Sequence, residues 1–282
     1  MKVTGGKTVY GAAVGIMMLE SRFPRIPGDM GNAATWPFPV HYAVVAGATP
    51  GRVVRERAQG LLDSFITAGR DLIARGADGI TTNCGFLSLF QPDLAQALGV
   101  PVATSSLMQV PLVQSLLPAG KRVGILTISK RTLTPEHLER AGADPDTPVV
   151  GTDDGVEFSR VILNDELELD VALARDDNIA AARRLVSGHD DIGAIVLECT
   201  NMTTYAADIR AATGHRSSPP VISSAGFRPA CSRPGSTIRS EIYPASRAGG
   251  DASTAIDRVA RAPSLADAAK DTPCCRGCAT RT

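Results

Sequence analysis

Several absences bound what this 282-residue chain can be. No stretch approaches the roughly 20 consecutive apolar residues that a membrane helix needs, so the sequence offers no α-helical span. Neither sign of charge is in excess: the formal net charge is zero, and nothing pulls the chain as a whole toward nucleic acid or an anionic membrane. Histidine is scarce, with His41, His137, His189 and His215 scattered and none beside a cysteine motif, so a Cys–His nucleophile pair has no local support. A nucleotide fingerprint is missing as well, because "PGDMGNAATWPFP" (27–39) is too irregular for one. Lys121, Lys130 and Lys270 form no pattern of a cofactor-bearing lysine. The "CCRGC" of the tail, even with Cys231, is a poor match to a zinc site, which needs a second ligand pair. Neither metal nor organic cofactor is expected.

What is present is unevenly spread. Residues 1–214 carry a net charge of −5 and two cysteines, whereas residues 215–282 carry +5, four cysteines and seven of the 19 prolines. The N-terminus places two lysines before an apolar run, but it lacks a small-residue cleavage site and the run ends in Glu20 and Arg22. It reads as a buried first strand rather than a signal peptide. The default is then a cytoplasmic protein with reduced thiols.

Within 1–214 the chain repeats itself. "DGITTNCGFL" (78–87) and "GAIVLECTNM" (193–202) are apolar runs that each end in a cysteine, Cys84 and Cys199. At that offset Phe90 falls on Tyr205, Asp93 on Asp208, Leu94 on Ile209, Ala97 on Ala212 and Gly99 on Gly214. Upstream, 52–76 and 167–188 read as amphipathic helices, and 9–19 and 121–129 as Val/Ile-rich strands that share V-G-I. Alternating strands and helices predict an α/β fold of two pseudo-symmetric lobes, each a parallel sheet flanked by helices, with a cleft between them. The expected division is 1–107 with Cys84, 108–214 with Cys199, and an irregular C-terminal tail, 215–282. The tail loses all period where a core strand is due, and reads as a disordered extension or a stretch translated out of frame.

Ligands of parallel α/β sheets bind beyond the carboxyl ends of the strands, where both cysteines sit. Two thiols at matching positions suit proton removal from one face of a carbon and delivery to the other, one as thiolate and one as thiol. The helix N-termini that follow favour a thiolate or a substrate carboxylate. Gly85 allows close approach of backbone amides, and Asn83, Thr200 and Asn201 offer neutral donors for carboxylate oxygens and a developing enolate. Thr127 ends the equivalent strand of the second half, and the 27–39 loop is read as lining the cleft.

The pair "TTNCGF" and "LECTNM" resembles the aspartate/glutamate racemase superfamily, over about residues 8–214. That superfamily also holds hydantoin racemases, arylmalonate decarboxylases and maleate cis–trans isomerases. Glu198-Cys199-Thr200 is the more specific match. In the first motif Asn83 precedes the cysteine, where amino-acid racemases usually place Asn after it. Met30 and Gly31 fall in what looks like the superfamily's glycine-rich substrate loop. The resemblance implies cofactor-independent racemisation or epimerisation of an amino acid, small carboxylic acid or hydantoin, with Cys84 and Cys199 as paired acid and base. Asn201 stands where glutamate racemases carry His, which argues against glutamate itself. Having both cysteines argues against the decarboxylases, while maleate-type isomerisation stays open. A small-molecule carboxylate or hydantoin partner follows, with no nucleic acid and no membrane, and homo-oligomer formation stays open. The rival from another class is a non-catalytic two-lobed binder of small acids.

Overall fold

A computed structural model describes residues 2–213 and the backbone of 221–222. His215, Cys231, Lys270 and the "CCRGC" stretch lie outside the described residues. The first sheet consists of β1 (Val14–Leu19), β2 (Val40–Val45), β3 (Gly79–Thr82) and β4 (Val102–Ala103) in the order β2-β1-β3-β4, all parallel. The second consists of β5 (Arg122–Thr127), β6 (Val149–Gly151), β7 (Ile192–Leu197) and β8 (Val221–Ile222) in the order β6-β5-β7-β8, again all parallel. The same order with the same crossovers occurs twice. The pairing repeats too, since β4 lies against Ile80 and Thr81 and β8 lies against Ile195 and Val196. The two-residue strand β8 therefore falls inside the stretch read as irregular, in the place that β4 holds in the first sheet.

Among the described residues, eight α-helices connect the strands: α1 (Pro50–Arg55), α2 (Leu62–Arg75), α3 (Gln91–Leu98), α4 (Gln109–Leu116), α5 (Pro135–Arg140), α6 (Phe158–Leu163), α7 (Val171–Gly188) and α8 (Ala206–Ala212). Every residue of β1 is buried, as expected of a strand covered on both faces. Alternation along β1 divides its side chains. Met17 and Leu19 enter the large core shared by both halves, while Val14, Ile16 and Met18 join Met30 in a small cluster with Trp36 and Tyr42.

Two helix boundaries differ from the sequence reading. The helix expected over 52–76 is broken after Arg55, where Arg57 (φ 57°) and Ala58 (φ 54°) enter the left-handed region, at a cost of about 1–2 kcal/mol each. Tertiary contacts hold the break. Arg52 donates to the carbonyls of Gly47 (3.3 Å) and Gln59 (3.2 Å), and Arg57 pairs with Glu136 on α5 at 2.5 Å. The apolar positions run on through the break, so the periodicity could not show it. The helix expected from 167 starts at Val171, because the Asp170 carboxylate accepts from the N–H groups of Ala172 (2.9 Å) and Leu173 (3.0 Å) and so caps it.

Candidate active site

Cys84 stands two residues beyond β3 and Cys199 two beyond β7. Each opens a 3₁₀ turn, Gly85–Phe90 and Thr200–Tyr205, which runs into α3 and α8. In each turn the backbone N–H two residues on, that of Phe86 or of Asn201, acts on the cysteine sulfur to lower its pKa. The two halves thus set a cysteine at the same point of the same strand–turn–helix unit.

The two turns meet. Thr200 Oγ1 donates to the Asn83 carbonyl (2.6 Å), and Ser106 Oγ bridges the carbonyls of Leu197 (2.7 Å) and Glu198 (2.9 Å). Cys84 and Cys199 line one cavity of about 20 Å³ together with Asn83, Gly85, Glu198 and Asn201, a space that suits about one water. Its remaining walls are apolar. Pro50 and Val54 of α1 face Ile162 and Leu163 at the end of α6 across it, so equivalent helices of the two halves cover the site.

Burial dominates the electrostatics. It pushes the Cys84 thiol up to about 12 and the Cys199 thiol well above its ordinary value, with Glu198 adding to both. Glu198 is itself fully buried and pushed up to about 7 by burial. Both thiols therefore keep their protons at neutral pH.

Of the residues singled out in the sequence, Cys84, Cys199, Asn83, Gly85 and Asn201 line the cavity. Thr127, Thr200, Met30 and Gly31 are not among the residues that line it. Thr127 Oγ1 donates to Glu198 Oε2 (2.7 Å), and Thr200 ties the two turns together. The Met30 side chain fills the small cluster, and its carbonyl accepts from Trp36 Nε1 (3.1 Å) and the Tyr42 hydroxyl (2.9 Å). Gly31 donates its N–H to Asp29 Oδ1 (2.6 Å). Asn83 spends its side-chain oxygen on the Leu19 N–H (2.8 Å).

Sequence reasoning missed Asp29 and Arg25. Asp29 is buried, pairs with Arg25 at 2.9 Å, and accepts from Asn201 Nδ2; the Cys199 thiol in turn donates to Asn201 Oδ1 at 3.4 Å. The Arg25 guanidinium stacks on the Phe23 ring, 4.4 Å from its centroid. A polar chain therefore runs from the 27–39 loop of the first half to the second cysteine. Because Asn201 gives its N–H group to a carboxylate, its oxygen is the atom left facing the thiol, and this favours Cys199 in its protonated form. No spacing in the sequence signals a contact between positions 172 apart. Among the described residues, no group of three or more His, Cys, Asp or Glu is placed to hold a metal ion, and no helix is long and apolar enough to cross a membrane.

No family model matches the chain. Over 214 residues it is 28% identical to a dimethylsulfoniopropionate lyase of Durusdinium sp. clade D, a match covering 72% of this chain and 69% of that protein. Over 213 residues it is 31% identical to dimethylsulfoniopropionate lyase 7 of Emiliania huxleyi strain CCMP1516, covering 71% of this chain and 62% of the relative. Glutamate racemase isoform RacE1 of Bacillus anthracis superposes with a TM-score of 0.50 at 18% identity, covering 76% of this chain and 77% of that one. The chain shares the fold of that racemase.

Proposed function

We propose that the chain is a lyase which takes the α-proton of a small carboxylate with a cysteine thiolate and expels a leaving group from the β-carbon, dimethylsulfoniopropionate being the first substrate to try. The observation that carries this reading is the pair of thiols lining one small, largely apolar cavity, in a chain whose curated relatives bear that lyase name.

The chemistry follows from the environment of the sulfurs. A thiol held near 12 stays protonated and is no base by itself, but a cation brought beside it in a low-dielectric cavity lowers its pKa. A sulfonium substrate thus helps to generate the thiolate that attacks it. Cys84 is the better base, since the Cys199 proton is committed to Asn201. The thiolate takes the α-proton, the C–H electron pair becomes the Cα–Cβ double bond, and the Cβ–S bond breaks with its electrons leaving on dimethyl sulfide. Acrylate remains, and the proton later leaves Cys84 for solvent. Cys199 stays a thiol and turns its proton from Asn201 Oδ1 to the enolate as charge develops. Substrate entry requires the walls formed by α1 and α6 to part, because the closed cavity suits about one water.

Two-base racemisation is the second reading, favoured by the matching backbone N–H at each sulfur. Both reactions begin with loss of the same proton. Proton NMR of the full chain with dimethylsulfoniopropionate in deuterated water separates them. Vinyl signals of acrylate support elimination. Deuterium at the stereocentre of chiral α-substituted acids or hydantoins, with no acrylate from the sulfonium substrate, supports racemisation and overturns the lyase reading.

A further inference from the structure

Among the residues lining the cavity, Glu198 is the one with a charged side chain; lysine, arginine and histidine are missing from the lining. Its carboxylate is fixed on one side, where Oε2 accepts from Thr127 Oγ1 at 2.7 Å. On the other side Oε1 is buried and has no hydrogen-bond partner. Such an oxygen is costly to leave unpaired.

Gly85 makes room for it. A Cβ at position 85 would come within 2.6 Å of the Glu198 carbonyl oxygen and closer still to Oε1. The carboxylate therefore lies against the turn that carries Cys84, where a side chain at position 85 would otherwise be. Phe23 and Phe86 complete this part of the wall. A cavity whose one charged wall is negative repels a second carboxylate on the ligand and attracts a positive group.

We propose that Glu198 is a specificity-determining residue whose unpartnered Oε1 is the counter-charge for an onium group β to the substrate carboxylate. This rests on the elimination reading for its substrate class, but it concerns recognition and can be tested without turnover. The probes are two acids of the same shape that differ in one atom: 3-(trimethylammonio)propanoate, which is cationic at its head, and 4,4-dimethylpentanoate, which is neutral there.

Calorimetry on the full chain gives the ratio of their dissociation constants. Wild type should bind the onium acid at least tenfold more tightly, and Glu198→Gln, which keeps the shape and can still meet Thr127, should bring the ratio close to one without weakening the neutral acid. Equal affinity in the wild type, binding of neither acid, or a ratio unchanged in Glu198→Gln overturns the proposal. The wild-type ratio stands as a test even if the variant folds poorly. Release of dimethyl sulfide with no onium preference would sink this assignment and leave the lyase reading intact. Onium preference without elimination of any β-sulfonium acid would do the reverse.

Discussion

The Thr200 hydroxyl donates to the carbonyl oxygen of Asn83 across 2.6 Å, joining the neighbour of one cysteine to the neighbour of the other. This bond closes the two halves of the repeat over their shared cavity. Thr200→Val keeps the side-chain shape and leaves the Asn83 oxygen buried without this donor, which costs about 1–3 kcal/mol. Thermal unfolding should show the loss as a lower Tm, and turnover should fall with it as the cysteine turns lose register.

The Arg25–Asp29 pair, at 2.9 Å and almost wholly buried, should behave as a unit. Asp29→Ala strands the guanidinium and should cost about 3–5 kcal/mol. The double variant Arg25→Met with Asp29→Leu should cost less than Asp29→Ala alone. Denaturant unfolding of the three proteins checks this, and a double variant no more stable than Asp29→Ala would contradict it.

Glu198 gives stability a pH dependence whose sign can be worked out. Its carboxyl is pushed from an ordinary 4.5 up to about 7 by burial. The folded state therefore holds that proton more tightly than the unfolded chain does. Stability is full below about 4.5 and is lost as pH rises toward 7, by about 3 kcal/mol from this group. Cys84 and Cys199, the titratable neighbours, are pushed upward and keep their protons throughout that window. Urea unfolding from pH 4.5 to 7.5 should show the decline in wild type and a flatter profile in Glu198→Gln.

Gly85→Ala drives a methyl group against the Glu198 carboxylate and within 2.6 Å of its carbonyl oxygen. Overpacking of this kind costs about 1–3 kcal/mol. Adding Glu198→Ala should recover part of the loss, since it clears the carboxylate but not the backbone oxygen. A double-mutant cycle in Tm reads the coupling directly, and simple additivity would show that the two residues do not touch.

Much of this was legible in the chain. Apolar runs such as Val14–Leu19 and Ile192–Leu197 announce buried parallel strands, and the common V-G-I and cysteine positions announce the repeat. The break at Arg57 and Ala58 was not, because its causes are a pairing with α5 and a carbonyl clamp by Arg52. The 27–39 loop stood out for its glycines, yet its contribution to the polar chain comes through Asp29, which lies between them and reaches Asn201. Glu198 was visible as part of a motif. Its place in the cavity wall was not, since that depends on Gly85 being brought against it from the other half. Racemisation was expected from the paired cysteines, and the lyase relatives shift the emphasis to elimination because proton removal by a thiolate serves both reactions.

A cysteine base acting on a β-sulfonium acid releases dimethyl sulfide, which headspace measurement reads. Wild type, Cys84→Ala and Cys199→Ala are each incubated with dimethylsulfoniopropionate. Wild type should release it, Cys84→Ala should lose about 10²–10⁴-fold, and Cys199→Ala should lose less. No release by folded wild type, or full activity in Cys84→Ala, would contradict this mechanism.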